Sequence, residues 1–172
     1  MDIDLFQLIA RYNELNAGSS AYACPKPTAG SLSRIETHFG IRLPRPLIAL
    51  ARGSRYFGPR FASLGANYES PLHIIRINSH WRRRRRTRRL PRGLVIITTD
   101  HDDNYWCLDT SQTASGDDAY PLQFWSPQPL IYPSESSRPT ERYADFTSFL
   151  RADIYWSRWH SRQREQAQRR RG

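Results

Sequence analysis

Two short stretches concentrate the side chains that can do chemistry. From Asp100 to Asn104 the chain reads Asp-His-Asp-Asp-Asn, and from Arg82 to Arg89 it carries seven arginines interrupted only by Thr87, with Trp81 directly before them. Asp100, Asp102 and Asn104 match the opening of a calcium loop. Tyr105, however, stands where the sharp turn needs glycine, and Ser111 stands where a bidentate glutamate is required. A solvated turn accounts better for these residues, because Asp and Asn side chains hydrogen-bond their own backbone. Five histidines are scattered, no Ser or Cys lies in a Gly-x-Ser-x-Gly context, and no glycine-rich phosphate loop is present. This pattern implies a protein that is not an enzyme and uses no cofactor and no metal.

The arginine run is the sharper candidate. Guanidinium groups fork onto phosphates or carboxylates, and a flanking Trp can stack on a base or anchor a protein interface. The candidate partner-binding residues are therefore Trp81, Arg83, Arg84, Arg85 and Arg86, with Asp102, Asp103 and Tyr105 from the acidic turn as a second set. The plain alternatives are a mobile, solvated connection between two strands and a pair of core aromatics. Strand alternation predicts that one of Tyr105 and Trp106 points outward.

These residues need elements to hold them. Leu94 to Thr98 is a β-branched run and Tyr105 to Leu108 an aromatic one, so the segment predicts a hairpin closed by the acidic turn. Ahead of it, Leu5, Leu8, Ile9, Tyr12 and Leu15 repeat at helical spacing. Ser31 opens a second helix ended by Gly40, and Pro44 and Pro46 open a third. Leu72 to Ile77 fits a strand or a helical turn, and Arg55 to Glu69 a loop with a short strand. Tyr120, Leu122, Phe124 and Trp125 suggest a further strand, followed by a proline-marked crossing. Tyr143, Phe146, Phe149, Leu150 and Ile154 restore the helical period. The expected fold is α+β: N-terminal helices, a central antiparallel sheet and a C-terminal helix packed on one face of it.

With 172 residues, of which 38% are hydrophobic, the chain fits one domain over residues 1–160, followed by a basic disordered tail over 161–172. The net charge of +10 belongs mostly to two appendages: seven arginines between Arg82 and Arg89, and +4 between Ser161 and Gly172, leaving about −1 for the rest. Only Lys26 among the basic residues is lysine, a bias that coding composition can produce. No apolar run reaches the roughly 20 residues a bilayer requires, and Met-Asp-Ile-Asp lacks a signal peptide's basic start. These features predict a cytoplasmic protein with no membrane partner. Cys107 reads as a small buried apolar side chain rather than half of a disulfide with Cys24.

Several short motifs in order resemble the SUKH superfamily of Smi/Knr-like proteins, many of them bacterial immunity proteins. They are Ile41-Arg42-Leu43-Pro44, Leu90-Pro91, Leu94 to Thr98, Tyr105-Trp106-Cys107-Leu108-Asp109, Leu122-Gln123-Phe124-Trp125 and Phe146-Thr147-Ser148-Phe149-Leu150, spread over about Ser31 to Arg151. The resemblance implies a non-catalytic immunity protein that binds and blocks a cognate toxin, often a nuclease. The residues leave two other expectations open: a nucleic-acid-binding module working through its arginine-rich loop and tail, and an intracellular scaffold.

Overall fold

The computed structural model describes residues 3–17, 27–54, 72–84, 89–99, 104–112, 120–127 and 142–169. Among the described residues, four helices precede the sheet: α1 (Ile3–Asn16), α2 (Ala29–Phe39), α3 (Arg45–Gly53) and α4 (Leu72–Arg82). They are followed by β1 (Leu94–Thr99), β2 (Tyr105–Asp109), β3 (Leu122–Trp125), β4 (Arg142–Tyr143) and α5 (Phe146–Arg169). The strands form one antiparallel sheet in the order β1-β2-β3-β4.

The helix ends follow the sequence except at the start of α2, which begins at Ala29 rather than Ser31. Thr28 caps α2 by accepting the Ser31 N–H at 3.1 Å, and Gly40 closes it at φ 64°, a left-handed conformation that favours glycine. Glu36 of the same helix accepts the Leu43 N–H at 2.9 Å, which fixes the turn into the Pro44 start of α3. The Asp145 carboxylate accepts the Ser148 N–H at 2.7 Å and so begins α5.

Both faces of the sheet are covered. On one face Val95, Ile97, Trp106, Leu108 and Leu122 pack against Leu8, Ile9 and Tyr12 of α1, Leu32 and Ile35 of α2, Leu47 and Leu50 of α3, and Phe146, Phe149, Leu150 and Ile154 of α5. On the other, Leu94, Ile96, Tyr105 and Cys107 pack under Ile77 of α4, with Leu90, Trp81 and Trp125 alongside. The alternation of β2 is therefore real, but neither of its aromatics points to solvent. Tyr105 is 1% and Trp106 2% exposed, because a second layer lies where the sequence suggested water.

That second layer comes from the ambiguous stretch after Pro71. Leu72 to Arg82 is helical, so Ile74, Ile77, Asn78 and Trp81 share a face, and the arginine run follows a helix rather than a strand. Asn78, fully buried, joins α4 to the edge strand β1. Its Nδ2 donates to the carbonyls of Ile74 at 2.8 Å and Ile96 at 3.0 Å, and its Oδ1 accepts the Ile96 N–H at 2.9 Å. One carboxamide thereby satisfies both backbone groups of Ile96, as a neighbouring strand would. Arg82 continues the seam, its Nη2 donating to the Leu94 carbonyl at 3.2 Å.

Two further differences concern the C-terminal region. Tyr143, expected in the last helix, instead lies in the short strand β4. Helix α5 runs on to Arg169, past Ser161 where composition predicts a tail. The strand expected between Arg55 and Glu69 lies outside the described residues.

Candidate functional site

The sequence candidates separate once they are placed. Arg85, Arg86, Asp102 and Asp103 lie outside the described residues. Tyr105 is a core residue, its ring 5.9 Å from that of Trp81 and 5.7 Å from that of Trp125. Trp81 is half-buried at the end of α4 and also packs against Trp125 at 5.6 Å, so its main contacts tie the helix to the sheet. Among the described residues its indole nitrogen, buried, has no hydrogen-bond partner. Arg83 and Arg84 are exposed.

The run begins with an arginine that serves the fold. Arg82 is half-buried, with its guanidinium 5.1 Å from the Phe39 ring and bonded to Leu94, and burial lowers its pKa. The base of the run is pinned as well, since the Leu90 N–H donates to the Trp81 carbonyl at 3.2 Å and the Leu90 side chain is buried. The exposed arginines thus project from a fixed support at the helix terminus, where the last carbonyls favour positive charge.

The outer face of α4 gathers Ile75, Arg76, Ser79, His80, Arg83 and Arg84 around an open groove of about 580 Å³. Arg76 and His80 lie one turn apart on α4, and Arg83 and Arg84 follow in the turn just past its last residue, the Arg83 N–H donating to the Ser79 carbonyl at 3.2 Å, so the four border one groove. Arg84 is held in place. Its Nε and Nη2 lie 3.1 and 2.9 Å from His80 Nε2, and its guanidinium sits 5.7 Å from the Trp81 ring centre. A nitrogen that accepts from a guanidinium is unprotonated, so this geometry places the His80 proton on Nδ1. Partial burial first, and the Arg84 charge second, lower the His80 pKa. In the same way burial and then Arg76 lower that of His73. The side chains of Arg76 and Arg83 make no ion pair among the described residues.

Arg76, Ser79 and His80 were not candidates in the sequence because the period of their segment was undecided. Continuing the stripe through polar Asn78 to Trp81 would have shown the helix and, with it, the basic face. Among the described residues, no three or more His, Cys, Asp or Glu side chains form a metal site, and no helix is long and apolar enough to cross a membrane.

An antiparallel four-stranded sheet, roofed on one face by α4 and on the other by the first three helices and α5, with a basic groove on the outer side of α4, defines an α+β fold among the described residues. The chain belongs to the SMI1 / KNR4 family (SUKH-1), whose family model matches residues 26–152. No curated protein and no solved structure gives a significant match.

Proposed function

We propose that this chain is a non-catalytic, immunity-type protein that binds a cognate toxin, a nuclease being one such partner, through the arginine-bearing face of α4, and neutralises it by occupancy. Family membership supports the immunity reading. The observation that carries the choice of surface is the set of guanidiniums around the groove: Arg84 pre-positioned by His80 and Trp81, with Arg76 and Arg83 making no ion pair among the described residues. Such a surface attracts a carboxylate-rich partner from a distance. Charge pairs at its rim act mainly on association rate and salt dependence, whereas pairs buried on docking act on dissociation. The groove itself supplies donors and charge, and its imidazole is already engaged by Arg84.

The test begins with whether the adjoining reading frame ends in a toxin domain, and continues with co-expression of that domain and affinity measured for the wild type and for an Arg83→Ser/Arg84→Ser/Arg85→Ser/Arg86→Ser variant at two salt concentrations. Dose-dependent rescue and a salt-sensitive loss of affinity in the variant are expected. Turnover of the toxin or of its substrate by the purified protein alone overturns the non-catalytic reading, and unchanged affinity in the variant overturns the choice of surface.

A further inference from the structure

Helix α5 is 24 residues long, yet the family match ends at residue 152 near its first quarter. The part beyond carries Tyr155 and Trp159, which are 63% and 43% exposed. Each packs edge-on against Trp156, at 5.6 and 5.8 Å between ring centres, so the three rings form a supported ladder rather than loose side chains. Tyr155 and Trp159 are one helical turn apart, a rise of about 6 Å. Arg158, also exposed, lies between them.

The composition of this stretch decides what such a ladder suits. From Tyr155 to Gly172 there is no Leu, Ile, Val, Met or Phe, while six arginines face one glutamate and three glutamines follow. A helix that inserts into a lipid surface needs aliphatic area to bury, and this one has none past Ile154. A second copy would bring a helix of the same strong positive charge against it. The exposed rings of Tyr155 and Trp159 and the exposed Arg158, in a stretch rich in arginine and glutamine, match a ligand with unstacked aromatic bases on a chain of phosphates. A duplex keeps its bases stacked and offers the rings little.

We infer that the distal half of α5 binds single-stranded nucleic acid, with Tyr155 and Trp159 stacking on bases and Arg158 neutralising phosphate. This surface is separate from the α4 groove and lies on the helix that covers the opposite face of the sheet.

The probe is a fluorescein-labelled oligothymidylate of about 15 nucleotides, titrated with the full chain at about 50 and 200 mM salt. Wild type should bind it, more weakly at the higher salt. Tyr155→Ala/Trp159→Ala should weaken binding by about thirtyfold or more at both salts with the salt slope kept, since two stacking rings and no charge are removed. Trp159→Phe should retain most of the affinity, and Arg158→Gln should reduce the slope by about 0.7. An unchanged melting temperature for the double variant is expected from the exposure of both rings.

Absence of binding by wild type overturns the inference, and so does equal binding by the double variant. Equal affinity for the same strand annealed to its complement assigns the effect to charge alone. Co-sedimentation with phosphatidylserine vesicles, or dimerisation on gel filtration, lost in the double variant while oligonucleotide binding is not, would assign the face to lipid or to a second copy and likewise overturn it.

Discussion

Replacing Asn78 tests how α4 is fastened to the sheet. Asn78→Leu keeps a side chain of similar bulk and removes all three hydrogen bonds. The Ile74 carbonyl retains its place in the α4 ladder, so the loss falls on the Ile96 N–H and carbonyl, both stranded beneath a fully buried position. An unsatisfied buried group costs about 1–3 kcal/mol, which puts the pair at about 2–6 kcal/mol, a large share of the roughly 5–15 kcal/mol that holds a domain together. At about 2–4 °C per kcal/mol for a chain of this size, a loss near the middle of that range lowers the melting temperature by roughly 10 °C. Urea unfolding followed by tryptophan fluorescence gives the free energy directly. Asn78→Asp supplies the control: the ionised carboxylate keeps the acceptor and loses the donor, whereas the protonated acid restores both. Its deficit relative to wild type should shrink as pH falls. A loss below about 1 kcal/mol for Asn78→Leu, or a pH-independent deficit for Asn78→Asp, would refute the assignment of Asn78 as the fastener.

Two further outcomes follow from buried groups. The pKa values of His73 and His80 are lowered in the folded chain, so below the ordinary 6.5 the unfolded chain binds more protons. Their contribution to stability is complete above pH 6.5 and is lost as pH falls from there through the lower folded values. The urea midpoint should decline across that window, and His73→Gln should flatten the decline; parallel profiles would contradict the assignment to His73, the more buried of the two. Cys107 is fully buried with its thiol pushed well above the usual range by desolvation, so in a Cys24→Ser background a thiol reagent should modify it only at the rate of unfolding. Rapid labelling of the native protein would show that the layer over β2 opens.

The central hairpin was legible because its two strands carry β-branched and aromatic runs, with turn-forming acids between them, and its observed bounds lie close to those read from the residues. Gly40 and Pro44 marked helix ends for reasons local to the backbone, and these too were readable. What could not be read was decided by tertiary contact. The apolar triplet Ile74, Ile75 and Ile77 fits either period, and the residue that resolves it, Asn78, is polar and buried only because β1 offers it two backbone partners. Missing α4 hid the second layer, so Tyr105 passed for a surface residue. It also hid the basic groove, whose members Arg76 and His80 adjoin the arginine run only on a helix. Tyr143 looked helical through its spacing from Phe146 and Phe149, with which it does share a core, but its backbone pairs with Leu122.

The two roofs of the sheet draw on very different distances along the chain. Asn78 and Ile96 are 18 residues apart, whereas Asp4 of α1 pairs with Arg151 of α5 across 147. At about 5–20 residues per second, translation needs roughly 3–12 s to pass from Ile96 to Ile154. The α4 roof and the first hairpin can therefore assemble on the ribosome, while Val95, Ile97, Trp106 and Leu108 wait for the helix that completes their cover. During that interval the nascent chain presents a sticky, half-finished surface of the kind chaperones recognise. Arrested chains with a linker that carries Asp109 clear of the ribosome should bind a hydrophobic dye that chains with Arg169 clear of it do not, and equal binding by both would sink this order of assembly.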